Sequence, residues 1–293
     1  MSALVLFDTP GPQARRRNTI YTVVFALALA VIAWAVVTGL GDKGQWAPEL
    51  WTPFLSWSTW SQFLLPGLLN TIIAAVLAVV IALPFGLLLG VGRLSTSRWV
   101  SRVSGFVVEF FRAIPVLLLM VFAAEFYFSY TDVPTSYRPL LSVVTGLVLY
   151  NGSVIAEIVR AGVLSLPAGQ REAAEALGLR PGQAMRLILL PQAVTLMLPA
   201  LVSQLVVVLK DTALGGQLTV GYTELVRTSG TITGNFANTI PTLIVVAALF
   251  IVLNGILTAA ANALQRRLSR STKLPEGTDT AHPPTADISG RID

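Results

Sequence analysis

The chain has 293 residues, of which 54% are apolar and only 12% charged, and a mean hydropathy of +0.71. Soluble domains carry about 25% charged residues, so this composition excludes an ordinary soluble fold and indicates a membrane protein. The absence of cysteine and the single histidine, His282, exclude disulfide scaffolds, thiolate metal sites and cysteine nucleophiles, and argue against histidine catalysis.

The formal charge of +5 sits at the ends of apolar stretches. No basic run is interleaved with aromatics, so nucleic acid is not an expected partner. Residues 1–18 read as a cytoplasmic N-terminal segment closing on Arg15, Arg16 and Arg17. The first span is expected over Thr19–Leu40, which is long enough to cross a bilayer. No small-x-small cleavage site follows it, so it reads as a retained helix and not a signal peptide. The connection up to residue 62 carries Trp46, Trp51, Trp57 and Trp60 and reads as an external, aromatic-rich loop anchored at the membrane surface.

Five further spans are expected over Leu64–Val91, Gly105–Tyr130, Leu140–Gly162, Ala193–Leu209 and Ile240–Leu264, giving an all-α polytopic fold of six transmembrane helices. Pro84, Pro115 and Pro199 lie inside or near the ends of spans, where each removes a backbone donor. Gly86, Gly90 and Gly92 permit close helix contact. Lysine and arginine concentrate on one side of this arrangement, which places both termini in the cytoplasm of a cell-membrane protein. Residues 269–293 lack apolar periodicity and read as a disordered cytoplasmic tail.

Between the fourth and fifth spans, residues 163–192 form a cytoplasmic loop with two helical phrases. In the first, Ala173, Ala176 and Leu177 make an apolar strip beside Glu172 and Glu175, able to seat on another surface. Gly178 then ends the phrase. The second, with Met185, Leu187, Ile188 and Leu190, leads through Pro191 into the next span. No G-x-x-x-x-G-K-[ST] nucleotide loop is present. A bland cytoplasmic hairpin and a docking element for an external motor both fit this pattern.

Several ionisable groups lie in or beside the spans. Glu109 with Arg112, and Glu157 with Arg160, are each three residues apart and can pair on one helix face. With the third span starting near Glu109, that carboxylate would sit at a positive helix end. Pairing and a gating role are both open for these four. Glu125, Lys210 and Asp211 are costly at membrane depth, where such groups usually line cavities. Gln204 and Asp211 return to nearly the same face, and Asn151 adds polarity to the fourth span. Lys210 could receive a carboxylate, and Asp211 or Glu125 an ammonium group; bracing of span ends is the alternative.

The loop resembles the EAA loop of binding-protein-dependent ABC importer permeases, with Glu172, Ala173, Ala174, Gly178, Ile188, Leu190 and Pro191 at the family's spacing. "EFFRAIP", with Glu109, Arg112 and Pro115, "AEIVRAG", with Glu157 and Arg160, and "LKDTALGG" resemble the polar amino acid branch, although Ala113, Ile114 and Ala213 depart from its usual residues. The resemblance spans about Gly67–Arg267. It implies a five-helix importer core over residues 63–268 preceded by an extra helix within 19–62. It further implies that the loop is a coupling helix for ATPase subunits, that the chain is not itself an enzyme and binds no cofactor, and that ATP and Mg2+ belong to its partners. Those partners would be two ATPases, a second identical or related permease, an extracellular binding protein and a polar amino acid such as glutamate, all working in membrane lipid. The rivals are a scaffold or sensor docking through Arg171–Gly178, and an ion-coupled carrier using Glu125 or Asp211.

Overall fold

The structure is a computed structural model and describes residues 11–219 and 221–270; residues 1–10 and the expected tail from 271 onward lie outside the described residues. The described chain is helical, without strands. Five helices are long and apolar enough to span a membrane: α1 (Pro12–Asp42), α3 (Trp57–Arg93), α6 (Arg138–Leu164), α8 (Pro181–Gln217) and α10 (Thr239–Arg270, apolar to Ala263). The remaining helices are α2 (Pro48–Trp51), α4 (Arg98–Ala113), α5 (Val116–Tyr130), α7 (Ala168–Ala176) and α9 (Leu225–Phe236). The chain divides into two compact parts.

The first part comprises the chain to Asn70 together with Thr223–Leu249. Its α1 starts at Pro12, with proline at a position where the missing N–H costs nothing, so the three arginines expected before the helix lie within it. No residue of α1 is buried. The expected external loop is mostly helical: α2 and a 3-10 turn over Thr52–Leu55 lead into Ser56, which caps α3. Trp46 and Trp60 donate their indole N–H groups to the Val37 and Phe54 carbonyls at 2.9 and 2.7 Å, which satisfies the polar edge of each ring. Asn70 donates to the Thr223 carbonyl and Asn238 to the Leu50 carbonyl, at 2.8 and 2.9 Å, fastening the loop and α9 to neighbouring helices.

The second part comprises Thr71–Tyr222 and the chain from Phe250. Its centre is α6, whose buried face includes Val143, Leu147, Ile155 and Val159. Gly86 and Gly90 bring α3 against it: a Cβ at Gly86 would fall 2.6 Å from the Gly152 carbonyl, and one at Gly90 2.7 Å from that of Ala156. Pro84 and Pro199 sit inside α3 and α8 without ending them.

The expected third span is broken. Helices α4 and α5 meet at 100° across Ile114 and Pro115. The cause is local: a proline drives its predecessor out of the helical region, and Ile114 is extended at φ −93° and ψ 131°. Helix α4 exposes Trp99, Val103, Phe106 and Phe110 along one face, with Arg98 and Arg102 beside them, the pattern of a helix lying in a membrane interface. Glu109 therefore lies near the C-terminal end of an amphipathic helix and not at the positive end of a span. At the far end of α5, Arg138 donates to the Val133, Thr131 and Phe128 carbonyls and stacks over the Phe128 ring.

Candidate functional site

The residues of the 163–192 loop form one mechanical element. Helix α7 ends in a Schellman motif: Gly178 donates to the Glu175 carbonyl at 2.9 Å and Leu179 to that of Ala174 at 3.1 Å. The motif requires a left-handed residue, and Gly178 has φ +73°. The seated residue of α7 is Ala174, fully buried, whereas Glu172, Ala173, Ala176 and Leu177 are exposed. The apolar strip of Ala173, Ala176 and Leu177 thus points outward, available to another surface. The physical reason is that Ala174 lies roughly a third of a turn round the helix from that strip, small enough to fit against the protein beneath it.

The second phrase is continuous with the fifth span, so α8 begins at Pro181, twelve residues before the expected start, and contains a π turn over Met185–Leu189. Leu189 and Ala193 pack with Val163, and Met185, Ile188 and Leu166 pack around that cluster. Leu190 joins the main core, and Pro191 occupies the exposed side. Gln192 donates to Gln170 at 3.2 Å. Helix α7 is therefore tied by its base to both the end of α6 and the start of α8, with its outer face open.

At the same end of the second part, five charged residues from three helices meet. Glu157 of α6 receives Arg160 at 2.6 Å, Arg93 of α3 at 2.9 Å and Arg112 of α4 at 3.8 Å. Arg93 also reaches Glu109 at 2.9 Å. The expected Glu157–Arg160 contact is present. The expected Glu109–Arg112 pair is not: Glu109 binds Arg93 and Arg112 turns to Glu157, because the break at Pro115 lays α4 across the ends of α3 and α6. Arg93, a residue that sequence spacing did not single out, is the bridge.

Farther along α6, Asn151 is fully buried and accepts a 2.6 Å hydrogen bond from Gln204 of α8. Among the described residues the Asn151 amide nitrogen has no hydrogen-bond partner, although Asp211 lies close enough to interact with it. The other two candidates lie elsewhere. Lys210 is exposed on α8 and faces a groove shared with α10. Glu125 is exposed on α5, where the Ser129 hydroxyl donates to it.

With this geometry established, residues 82–270 match the family described as binding-protein-dependent transport system inner membrane component. The chain belongs to this family. The permease is 48% identical over 229 residues to the glutamate transport system permease protein GluD of Corynebacterium glutamicum, covering 78% of this chain and 83% of that one. It is 30% identical to the probable glutamine ABC transporter permease protein GlnP of Bacillus subtilis, covering 70% and 93%. Among solved structures, an amino acid ABC transporter crystallised with histidines superposes with a TM-score of 0.63 at 26% identity, covering 73% of the permease and 98% of that chain. The family is non-catalytic and acts as the membrane component of a transport system. The matched stretch begins within α3, leaving α1 outside it.

One residue of the permease escaped sequence reasoning altogether. Glu224 is fully buried and caps α9, accepting from the Val226 and Arg227 amides at 2.7 and 2.6 Å. Burial raises its carboxyl to about 7 despite those two amides and the nearby Arg227 charge, which all favour ionisation. A glutamate two residues beyond an aromatic, at the start of a short helix, carries no distinctive sequence signal.

Proposed function

We propose that the chain is the permease subunit of an ATP-driven importer for a polar amino acid, with an acidic amino acid such as glutamate as its preferred cargo. The observation that carries this reading is the outward apolar face of α7, with Ala173, Ala176 and Leu177 open beside Glu172 and with its base fixed to α6 and α8. A face of this kind suits a groove on an ATPase, and its rigid mounting suits the transmission of force. Two ATPase subunits holding ATP and Mg2+, a second identical or related permease and an extracellular binding protein complete the assembly. The termini and α7 lie on the cytoplasmic side, in keeping with the arginines at Arg93, Arg160, Arg171 and Arg186.

In this mechanism ATP-driven closure moves two α7 elements together, and the motion enters the bundle through Ile188, Leu190 and Pro191. The Arg93–Glu157–Arg112 network, with Glu109 and Arg160, latches α3, α4 and α6 on the inner side, and Pro115 sets the bend that makes the latch reachable. Glu125, Asn151, Gln204, Lys210 and Asp211 are the candidate contacts of the solute path. The core of five spans occupies residues 63–268, with α1 as an addition.

Reconstitution with the ATPase and binding protein tests this reading. Gly178→Leu forces a side chain into a left-handed position at a cost of about 1–2 kcal/mol and should cut ATP-dependent uptake at least tenfold while the chain still inserts. Normal uptake in that variant at normal complex yield would overturn the coupling role. Uptake persisting without any ATPase would instead indicate an ion-coupled carrier.

A further inference from the structure

Helix α10 carries a polar stripe inside an otherwise apolar span. Asn254, Thr258, Asn262 and Gln265 are spaced by four, four and three residues and so share one face. Thr258, Asn262 and Gln265 line a groove of about 430 Å3 whose other wall is α8, with Pro199, Ser203 and Lys210. Thr258 and Asn262 are exposed, as are Ser203 and Lys210. One turn from Thr258, the Asn254 amide donates to the Phe250 carbonyl at 2.7 Å, while its own side-chain oxygen is buried without a hydrogen-bond partner among the described residues. The Lys210 ammonium has no ion-pair or hydrogen-bond partner among the described residues.

Such a surface cannot rest against lipid without cost. The Ser203 and Thr258 hydroxyls donate to the Pro199 and Asn254 carbonyls of their own helices at 3.0 and 2.7 Å, but the Asn262 amide and the Lys210 ammonium at membrane depth require protein, water or solute to satisfy them. The α8 residues point the same way: Ser203 and Lys210 are seven apart and share one face, whereas Gln204 and Asp211 occupy the adjacent face toward Asn151. Helix α8 thus separates a buried polar contact that braces α6 from an open polar face that braces nothing among the described residues. The charge balance of the open face is also one-sided, with a cation and neutral groups but no carboxylate among the residues that line it.

We infer that the α8–α10 groove is a solute-contacting wall of the transport path, with Lys210 receiving a carboxylate of the amino acid and Ser203, Thr258, Asn262 and Gln265 replacing its water. This rests on the import reading and narrows it. The groove favours amino acids that carry a net negative charge or none, and disfavours cationic ones, because the ammonium meets a second positive charge without a compensating anion. Glu125 and Asp211 are not part of this wall.

The chain contains no cysteine, so single cysteines report directly on access. In the full assembly in proteoliposomes, Asn262→Cys and Ser203→Cys should react with a charged methanethiosulfonate reagent at least tenfold faster than Ile251→Cys on the exposed apolar side of α10. L-glutamate supplied with binding protein and ATP should slow that reaction. Modification of both groove positions at the Ile251→Cys rate in every nucleotide state overturns the inference. In uptake assays Lys210→Gln should lower L-glutamate transport at least tenfold and raise the share of L-arginine transported in competition, with Lys210→Arg retaining more glutamate uptake than Lys210→Gln. Equal glutamate uptake by wild type and Lys210→Gln overturns the role of Lys210 while leaving the importer intact. Failure of the wild type to take up any amino acid overturns the importer reading itself.

Discussion

Helices α1 and α6 are both long and apolar enough to cross a bilayer, yet they use that length in opposite ways. Helix α6 buries polar residues, among them Ser142, Asn151 and Ser153, beside its apolar ones, and Ser142 and Ser153 donate to the Arg138 and Leu149 carbonyls of their own helix. Beyond its opening arginines, helix α1 is apolar on every side up to Leu40 and buries nothing. In lipid the hydrophobic effect does not distinguish a neighbouring helix from an acyl chain, so helices associate through small residues and polar contacts. Helix α6 uses both, facing Gly86 and Gly90 and carrying Glu157; α1 has alanines and glycines but buries none of them.

The largest effect expected from this contrast comes from filling the closest contact. Gly86→Leu should remove most folded protein from the membrane fraction, because its first side-chain carbon would already collide with the Gly152 carbonyl. Gly39→Leu in α1, where a Cβ meets nothing within 4 Å, should stay within about 0.5 kcal/mol of wild type. Comparable yields of the two variants would break the contrast.

Next in size is the ion network. Glu157→Gln leaves three arginines facing one another with no central anion and should cost about 2 kcal/mol, between the values for exposed and buried pairs. Glu109→Gln, whose carboxylate is 70% exposed, should cost about 0.5 kcal/mol. Thermal melting of the detergent-solubilised chain distinguishes them, and equal shifts would show that Glu157 is not the centre.

Glu224 sharpens the point that burial of a polar group must be compensated. Its carboxyl is raised from 4.5 to about 7, so the folded chain holds its proton over a range in which the unfolded chain has lost it. Stability should be highest below about pH 4.5 with respect to this group, decline as pH rises through 4.5 to 7, and level off above 7. Glu224→Gln should flatten that decline in melting curves; an unchanged slope would assign it to other groups. The smallest effect should follow deletion of residues 1–43, with the melting temperature of the remaining chain unchanged within error.

Much of the architecture was readable because a bilayer imposes its thickness on sequence. The apolar stretches located α1, α3, α6, α8 and α10, and the glycine ending the first phrase of the loop located the turn after α7. What hydropathy obscured was direction. From Gly105 to Tyr130 apolar residues predominate over a length that suits one span, so the turn at Ile114 does not register, although Arg98, Arg102, Glu109 and Arg112 at near-helical spacing beside Trp99, Val103, Phe106 and Phe110 describe an interfacial helix. Local spacing likewise paired Glu109 with Arg112, whereas the actual partner, Arg93, is sixteen residues away in sequence and is brought near only by the bend. The α10 stripe was concealed by the strength of the surrounding apolar signal, since four polar residues scarcely lower the average of a helix this long.

Gly86 and Gly90 also bear on motion. Where side chains interdigitate, two helices can slip past each other by exchanging rotamers; where backbone meets backbone there is no rotamer to exchange. The α3–α6 seam is in that respect a weld, so any rocking of the bundle must be taken up at joints cushioned by larger side chains, and those joints are where a changed substitution tolerance should reveal the pivots.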